Sequence, residues 1–340
     1  ARLLFISDHS GTLDLYSIAV REGKAQGLQA LLKKDIGRVT GAGIADNGSL
    51  HYSINTALGD VYLGDLDIDA GAIRNLRQID QPAGHLSFAT QWSPDGKQLF
   101  IQRRAPQESR SANFIRDVAT GVERAYKTPY DALAVRGQWT ADGKSVLLML
   151  VNETSVRLVL ADADTWKVRG SFDVPGQRPL FFGPNSAPGG EFVFFAKGNV
   201  RTRDTRLVRI RLQTGEEKEV CRAVPMGWAV SPDGTQAACS GFTNSIRIVP
   251  TAGGEGRDLV KTITIAPMAW TPDGKHLIYT QGRGPVSYWI VPIAGGQPRK
   301  LDVAFDLPGE ISIHPDGRRI AITSRVSTTE LWVMENLKLN

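Results

Sequence analysis

Cysteine is almost missing from this chain. Cys221 and Cys239 are the only two in 340 residues, too few for a disulfide framework or a cysteine-built metal centre. Cys239 lies in the apolar run Ala237-Ala238-Cys239-Ser240 and is expected as a buried thiol. Long apolar runs are missing too, and none approaches the roughly 18 residues of a spanning helix, so membrane insertion is not expected. The net charge is +5 without any run of lysine or arginine. The densest basic stretch, from Arg201 to Arg211, alternates with other residues as a solvated sheet rim does, and nucleic acid is not an expected partner. A Gly-x-Ser-x-Gly elbow, a His-Glu-x-x-His pair and a phosphate-cradling Gly-Lys-Ser/Thr loop are all absent. Their absence removes the serine-hydrolase, zincin and P-loop chemistries.

What the chain has in quantity is one turn. Trp92-Ser93-Pro94-Asp95-Gly96-Lys97 returns as Trp139-Thr140-Ala141-Asp142-Gly143-Lys144, Val230-Ser231-Pro232-Asp233-Gly234-Thr235 and Trp270-Thr271-Pro272-Asp273-Gly274-Lys275. Ile313-His314-Pro315-Asp316-Gly317-Arg318 is a fifth copy, and weaker ones contain Gly48 and Gly190. The glycines Gly48, Gly96, Gly143, Gly190, Gly234, Gly274 and Gly317 step by 40 to 48 residues. That period signals propeller blades or helical arrays. The turn decides between them: Pro pre-sets φ, Asp bonds local backbone and Gly accepts positive φ, which is how strands are joined.

Short aliphatic and aromatic runs follow each turn, then alternating runs such as Leu13 to Ile18 and Ser287 to Val291, then charged stretches such as Pro298-Arg299-Lys300-Leu301. The order is that of an inner strand, two middle strands and a charged outer edge. Counting strand types gives thirty strands, with one inner and one outer strand short of eight four-stranded blades. The expected fold is therefore an all-β propeller of four-stranded antiparallel blades, eight being favoured and seven the alternative, in one domain over residues 1–340. A segment upstream of Ala1 is expected to supply the two missing strands.

The turn and its flanks resemble the bacterial TolB-like family, whose WD40-like (PD40) repeats carry Trp-Ser-Pro-Asp-Gly-Lys before a hydrophobic strand. The stretch Phe5 to Tyr16 also looks like that family's second-to-third strand hairpin. The resemblance spans nearly the whole chain, with departures at Asn47, Ala141 and Gly189. It implies a periplasmic or extracytoplasmic location and a non-catalytic role as an interaction or sensor domain that binds a protein or peptide, with an effector domain possible upstream. Alternatives are a propeller hydrolase or lyase acting in the channel, and an accessory propeller of a protease or signalling protein.

Loops from outer to inner strands ring one mouth of such a channel. His85, Tyr130, Asp131, Arg136, Arg178, Trp228 and Glu310 are the side chains there able to supply recognition. They share no repeat position that would hold a metal, and no cofactor is expected. The acids Asp65, Asp67 and Asp69 alternate like calcium ligands, yet the sixth and twelfth positions are Ala70 and Leu76 where an EF-hand loop has Gly and an acid. The similar ending Asp162-Ala163-Asp164 on a later strand favours a repeated turn. His276 and His314 flank turns and are expected on the surface. Phe181, Phe182, Phe192, Phe194 and Phe195 are expected between blades.

Overall fold

The computed structural model describes residues 1–340 apart from 83, 106–110, 127–129, 131–133, 153–154, 175–184, 187–189, 200–201, 224–226, 242–243, 263–267, 283–285, 306, 336 and 338–340. Every regular element among the described residues is a strand. The first three, β1 (Arg2–Ser7), β2 (Asp14–Arg21) and β3 (Lys24–Lys33), form one sheet. Next come β4 (Val39–Ile44), β5 (Leu50–Asp67) and β6 (Ala72–Gln78), then β7 (Leu86–Trp92), β8 (Gln98–Arg104), β9 (Ala112–Asp117) and β10 (Glu123–Tyr126). Four separate sheets of four strands follow. They are β11 (Ala134–Trp139), β12 (Ser145–Val151), β13 (Val156–Asp162) and β14 (Val168–Val174); β15 (Asn185–Ser186), β16 (Phe192–Asn199), β17 (Asp204–Arg211) and β18 (Glu217–Arg222); β19 (Trp228–Val230), β20 (Gln236–Ser240), β21 (Ile246–Pro250) and β22 (Arg257–Val260); and β23 (Ala269–Trp270), β24 (His276–Gln281), β25 (Val286–Pro292) and β26 (Arg299–Phe305). β27 (Leu307–Ile313) and β28 (Arg319–Met334) are last in order.

The repeated turn works as its chemistry dictates. Ser93 Oγ donates to Asp95 Oδ1 at 2.6 Å, and the same carboxylate oxygen accepts the Lys97 N–H at 3.0 Å. Ser93 Oγ in turn accepts the Gln98 N–H at 2.9 Å. The pattern recurs at Thr140/Asp142, Ser231/Asp233 and Thr271/Asp273. The hydroxyls of Ser93, Thr140 and Ser231 are the main reason why Asp95, Asp142 and Asp233 titrate below the usual carboxylate range.

Gly96 is needed twice over: its φ is 71°, and a Cβ there would run into the His314 ring. His314 is thereby buried, at 4 % exposure, and not on the surface as its place beside a turn suggests. Its Nδ1 lies 3.0 Å from the Asp316 backbone nitrogen and 2.8 Å from Asp316 Oδ1, and its Nε2 lies 3.1 Å from the Gly96 carbonyl oxygen and 2.6 Å from Arg319 Nη2. Its ring also stands edge-on to Trp92, 4.6 Å between centroids.

The pairing departs from eight separate sheets. β5 and β28 each run straight through the place where a hairpin turn between second and third strands was expected, and they pair antiparallel along all 16 residues of β28. Beyond Gly59, β5 therefore completes a sheet in the order β27, β28, β5, β6. Before Leu58 it pairs with β4 on one side and the far half of β28 on the other. A single parallel pair, Gly59 with Leu86, joins this assembly to β7, giving one nine-stranded sheet. A Cβ at Gly59 would collide with the Leu86 side chain and the Ser87 carbonyl, so glycine permits that close approach.

Hydrophobic clusters then link six sheets in a cycle. Phe100 and Ile115 pack with Val146 and Leu148; Leu147 and Met149 with Val193 and Phe195; Phe194 and Leu207 with Val230 and Ala237. Ala238 and Ile248 pack with Leu277 and Tyr279; Ile278 and Tyr288 with Leu66 and Ile320; Val61 and Ala321 with Leu99 and Ile101. Of the phenylalanine group, Phe194 and Phe195 are buried between sheets as expected and Phe192 packs half-buried beside them, while Phe181 and Phe182 lie outside the described residues. Leu15, Ile36, Leu50 and Tyr52 form a separate core between the β1–β3 sheet and the strands around β4.

Candidate functional site

The first strands of neighbouring sheets approach one another (β7 with β11 and β27, β11 with β15, β19 with β23, β23 with β27); β7, β11, β19, β23 and β27 wall a central channel and each leads into a repeated turn. His85 stands just before β7, Trp228 begins β19 and Tyr130 precedes β11, whereas Arg136 and Glu310 lie within β11 and β27 and not in the loops before them. Asp131 and Arg178 lie outside the described residues.

The structure brings two of the five together. Arg136 Nη1, on β11, meets Glu310 Oε1, on β27, at 2.6 Å. The β7 strand lies between β11 and β27 in the cycle, so the pair reaches past β7 across the channel. Burial pushes the Glu310 carboxyl up, against the pull of Arg136 and Arg325. The other three do not converge on it. Tyr130 packs on the core beside Phe100 and Tyr126 and carries the Arg157 guanidinium 5.0 Å above its ring. Trp228 is half-buried opposite Cys239 in the β19–β20 ladder, and His85 is half-buried with its carbonyl accepting the Gly59 N–H at 3.2 Å.

A second feature lies toward the turn end of the channel. A cavity of about 280 Å³ is walled by five innermost strands, with Gln91, Gln138, Ala229, Ala269 and Ser312 each one residue before the signature aromatic or its replacement. Met268 joins them in the wall. Trp139, Val230, Trp270 and Ile313, which follow four of these residues, line the cavity as well. Two signature indoles bridge neighbouring sheets there. Trp92 Nε1 donates to the Ser312 carbonyl at 3.2 Å and Trp270 Nε1 to the Ala229 carbonyl at 3.0 Å. The residue before each tryptophan is legible as a channel position from the register of the repeats.

The alternating acids belong to turns. Asp67 Oδ1 accepts the Ala70 N–H at 2.8 Å, and Asp162 Oδ1 accepts the Thr165 N–H at 2.9 Å. Asp117 does the same for Thr120 at 2.8 Å. The repeated-turn reading thus holds at the end of three third strands. Asp65, Asp67 and Asp69 do line an open groove of about 920 Å³ beside the Asp273 and Asp316 turns, but Arg74, Lys275, Arg318 and Arg319 share its walls. No group of three or more His, Cys, Asp or Glu among the described residues is placed to hold a metal ion.

Cys221 and Cys239 correct a further expectation, because they form a disulfide with Cα atoms 6.7 Å apart. Cys221 belongs to the outer strand of one sheet and Cys239 to the second strand of the next, and packing of β18 against β20 brings them within reach. Residue spacing alone does not show that adjacent sheets face each other there.

No family model matches the chain, and no curated protein matches it. Among solved structures, the putative TolB from Agrobacterium tumefaciens is similar at 14% identity with a TM-score of 0.62, covering 79% of this chain and 99% of that one. TolB from Acinetobacter baumannii is similar at 14% identity with a TM-score of 0.52, covering 95% of this chain and 79% of that one. At such identity the likeness is one of fold: this is an all-β chain with the β-propeller fold.

Proposed function

We propose that this chain is a non-catalytic propeller that binds a protein or peptide in an extracytoplasmic compartment, the periplasm in a bacterial envelope, as an interaction or sensor domain. Six sheets serve as its blades, and residues 1–340 act as one domain because β5 and β28 run unbroken from the ring into the additional strands. The recognition surface runs from the mouth where innermost strands begin, with His85 and Trp228 at its edge and Tyr130 behind it, past Arg136 and Glu310 to the cavity near the repeated turns.

The observation that carries this reading is the chemistry of the channel. Its cavity is walled by amide, thioether and aliphatic groups, with Gln91, Gln138, Met268 and Ile311 among them, which suits a bound segment held by hydrogen bonds and apolar contact. The Cys221–Cys239 bridge supports the location, since such cross-links persist in oxidising compartments.

The test is affinity capture from crosslinked envelopes with wild type, Trp228→Ala, Glu310→Gln and Met268→Arg. A partner recovered by wild type and lost with Trp228→Ala or Glu310→Gln supports the mouth. Recovery unchanged by all three variants refutes the reading.

A further inference from the structure

The sheet made by β4, the first half of β5 and the second half of β28 has three strands where each sheet of the ring has four. What it lacks is an outer strand. β27 accompanies β28 only as far as Arg325, which pairs with Leu307. From Val326 to Met334, β28 has β5 on one side and no strand on the other among the described residues. Every residue from Val326 to Val333 is exposed, so both faces of this edge are open.

The usual protections of an edge are missing here. The outer strands β3, β6, β10, β14, β18, β22 and β26 each carry at least one Lys or Arg, and like charges keep such edges apart. Val326 to Met334 has no Lys, Arg or Pro, and no bulge interrupts its ladder with β5. Apolar side chains project instead: Leu331 is 76 % exposed, Trp332 47 % and Val333 49 %. A long, regular, apolar edge is a template for another strand. The opposite edge, β4, carries Gly41 and Gly43 and offers a newcomer little side chain to pack on.

The β28 edge is complementary to itself. Two copies related by a two-fold axis pair antiparallel with one residue opposite its own counterpart. Centring the pair on Glu330 sets two carboxylates against each other. Centring it on Thr329 drives Val333 of the second copy into the place that Leu307 holds opposite Arg325. Leu331 is the centre of the longest register free of both faults. There Leu331 meets Leu331, Thr329 meets Val333, Thr328 meets Met334, and Glu330 meets Trp332, whose Nε1 already donates to Glu330 Oε2 at 3.0 Å within one chain. Apolar and β-branched pairs of this kind stabilise an antiparallel ladder.

We infer that this edge is a dimerisation surface, on which a second copy of this chain pairs β28 with β28 through residues 328–334. The two three-stranded sheets become one continuous sheet, and the pairing consumes both edges, so it stops at two copies. The dimer is independent of the channel and of what the channel binds.

Sedimentation of the full chain between about 1 and 200 µM tests it, since a ladder this short is expected to associate at micromolar concentration. A species of twice the chain's mass should accumulate as concentration rises. Leu331→Lys and Leu331→Glu each set like charges on the axis and should each weaken association about tenfold or more. An equimolar mixture of the two variants should recover it, because this register brings position 331 opposite position 331. Should either variant not fold, hydrogen exchange of wild type carries the test: amides in residues 328–334 should exchange more slowly in the concentrated sample than in the dilute one. A monomer throughout this range overturns the inference and leaves the edge to a strand of another protein. Association that the variants leave unaltered, a mixture no more dimeric than its components, open-ended aggregates, or exchange independent of concentration overturn it as well.

Discussion

Replacing both Cys221 and Cys239 by alanine releases the one covalent tie between two neighbouring sheets of the ring. The bridged residues are 18 apart in sequence, and closing a loop of that length in the unfolded chain is worth about 3 kcal/mol on the chain-entropy account. Alanine also removes two sulfur atoms, one of them at the 3 % exposed Cys239, and so adds a packing loss of about 1 kcal/mol. Reduced wild type keeps both sulfurs and isolates the tie itself. A ring of repeats need not unfold in one step, so hydrogen exchange in β18, β19 and β20 reads the effect better than a global midpoint. Reduction should raise exchange there by on the order of 100-fold, the equivalent of about 3 kcal/mol, and leave β12 and β13 unchanged. Alkylation of both cysteines in unreduced protein would refute the reasoning, as would exchange in those strands that is the same before and after reduction.

Two other outcomes follow from the hydrogen bonds. Trp270→Phe removes the indole N–H that meets the Ala229 carbonyl at 3.0 Å and should lower stability by about 1 kcal/mol in urea unfolding, whereas Trp139→Phe, whose Nε1 has no partner among the described residues, should cost less; equal losses would count against the inter-sheet bond. Asp14 is held at about 2 by the Asp35 N–H and the Ser10, Thr12 and Tyr16 hydroxyls; because the folded value lies below the ordinary 3.8, its stabilisation is full above about pH 4 and is lost as pH falls toward 2. Exchange in β2 should rise over that window in wild type and stay flat in Asp14→Asn, and the same pH profile in both would exclude Asp14 as the cause.

Much of the fold could be read from residues alone because the Pro-Asp-Gly turn acts locally. Ser93, Asp95 and Gly96 need nothing beyond their own hexapeptide to reverse the chain, and the same holds at Asp142, Asp233 and Asp273. The thirty strand segments are present too, once β5 and β28 are each seen as two segments joined end to end. The joining has a signal in β28: Arg325-Val326-Ser327-Thr328-Thr329 has no Gly, Pro, Asn or Asp to bend it, and its β-branched residues favour continuing the strand. What could not be read is what depends on sheets meeting in space. The Arg136–Glu310 pair spans 174 residues, and the Cys221–Cys239 bridge likewise unites elements that no local pattern relates. The residues before Trp92 and Trp139 are legible as channel wall from the register of the repeats.

The long ladder of β5 with β28 also bears on how a cell would make this molecule. About 250 residues lie between the two strands, so at the usual 5–20 residues per second a ribosome needs roughly 10 to 50 s to deliver the second after the first. Throughout that interval β5 is an 18-residue strand without its major partner, while the intervening sheets can mature in turn. A nascent chain of this design would call on chaperones to shield that waiting strand, and translation stalled before Arg319 would leave a product prone to self-association.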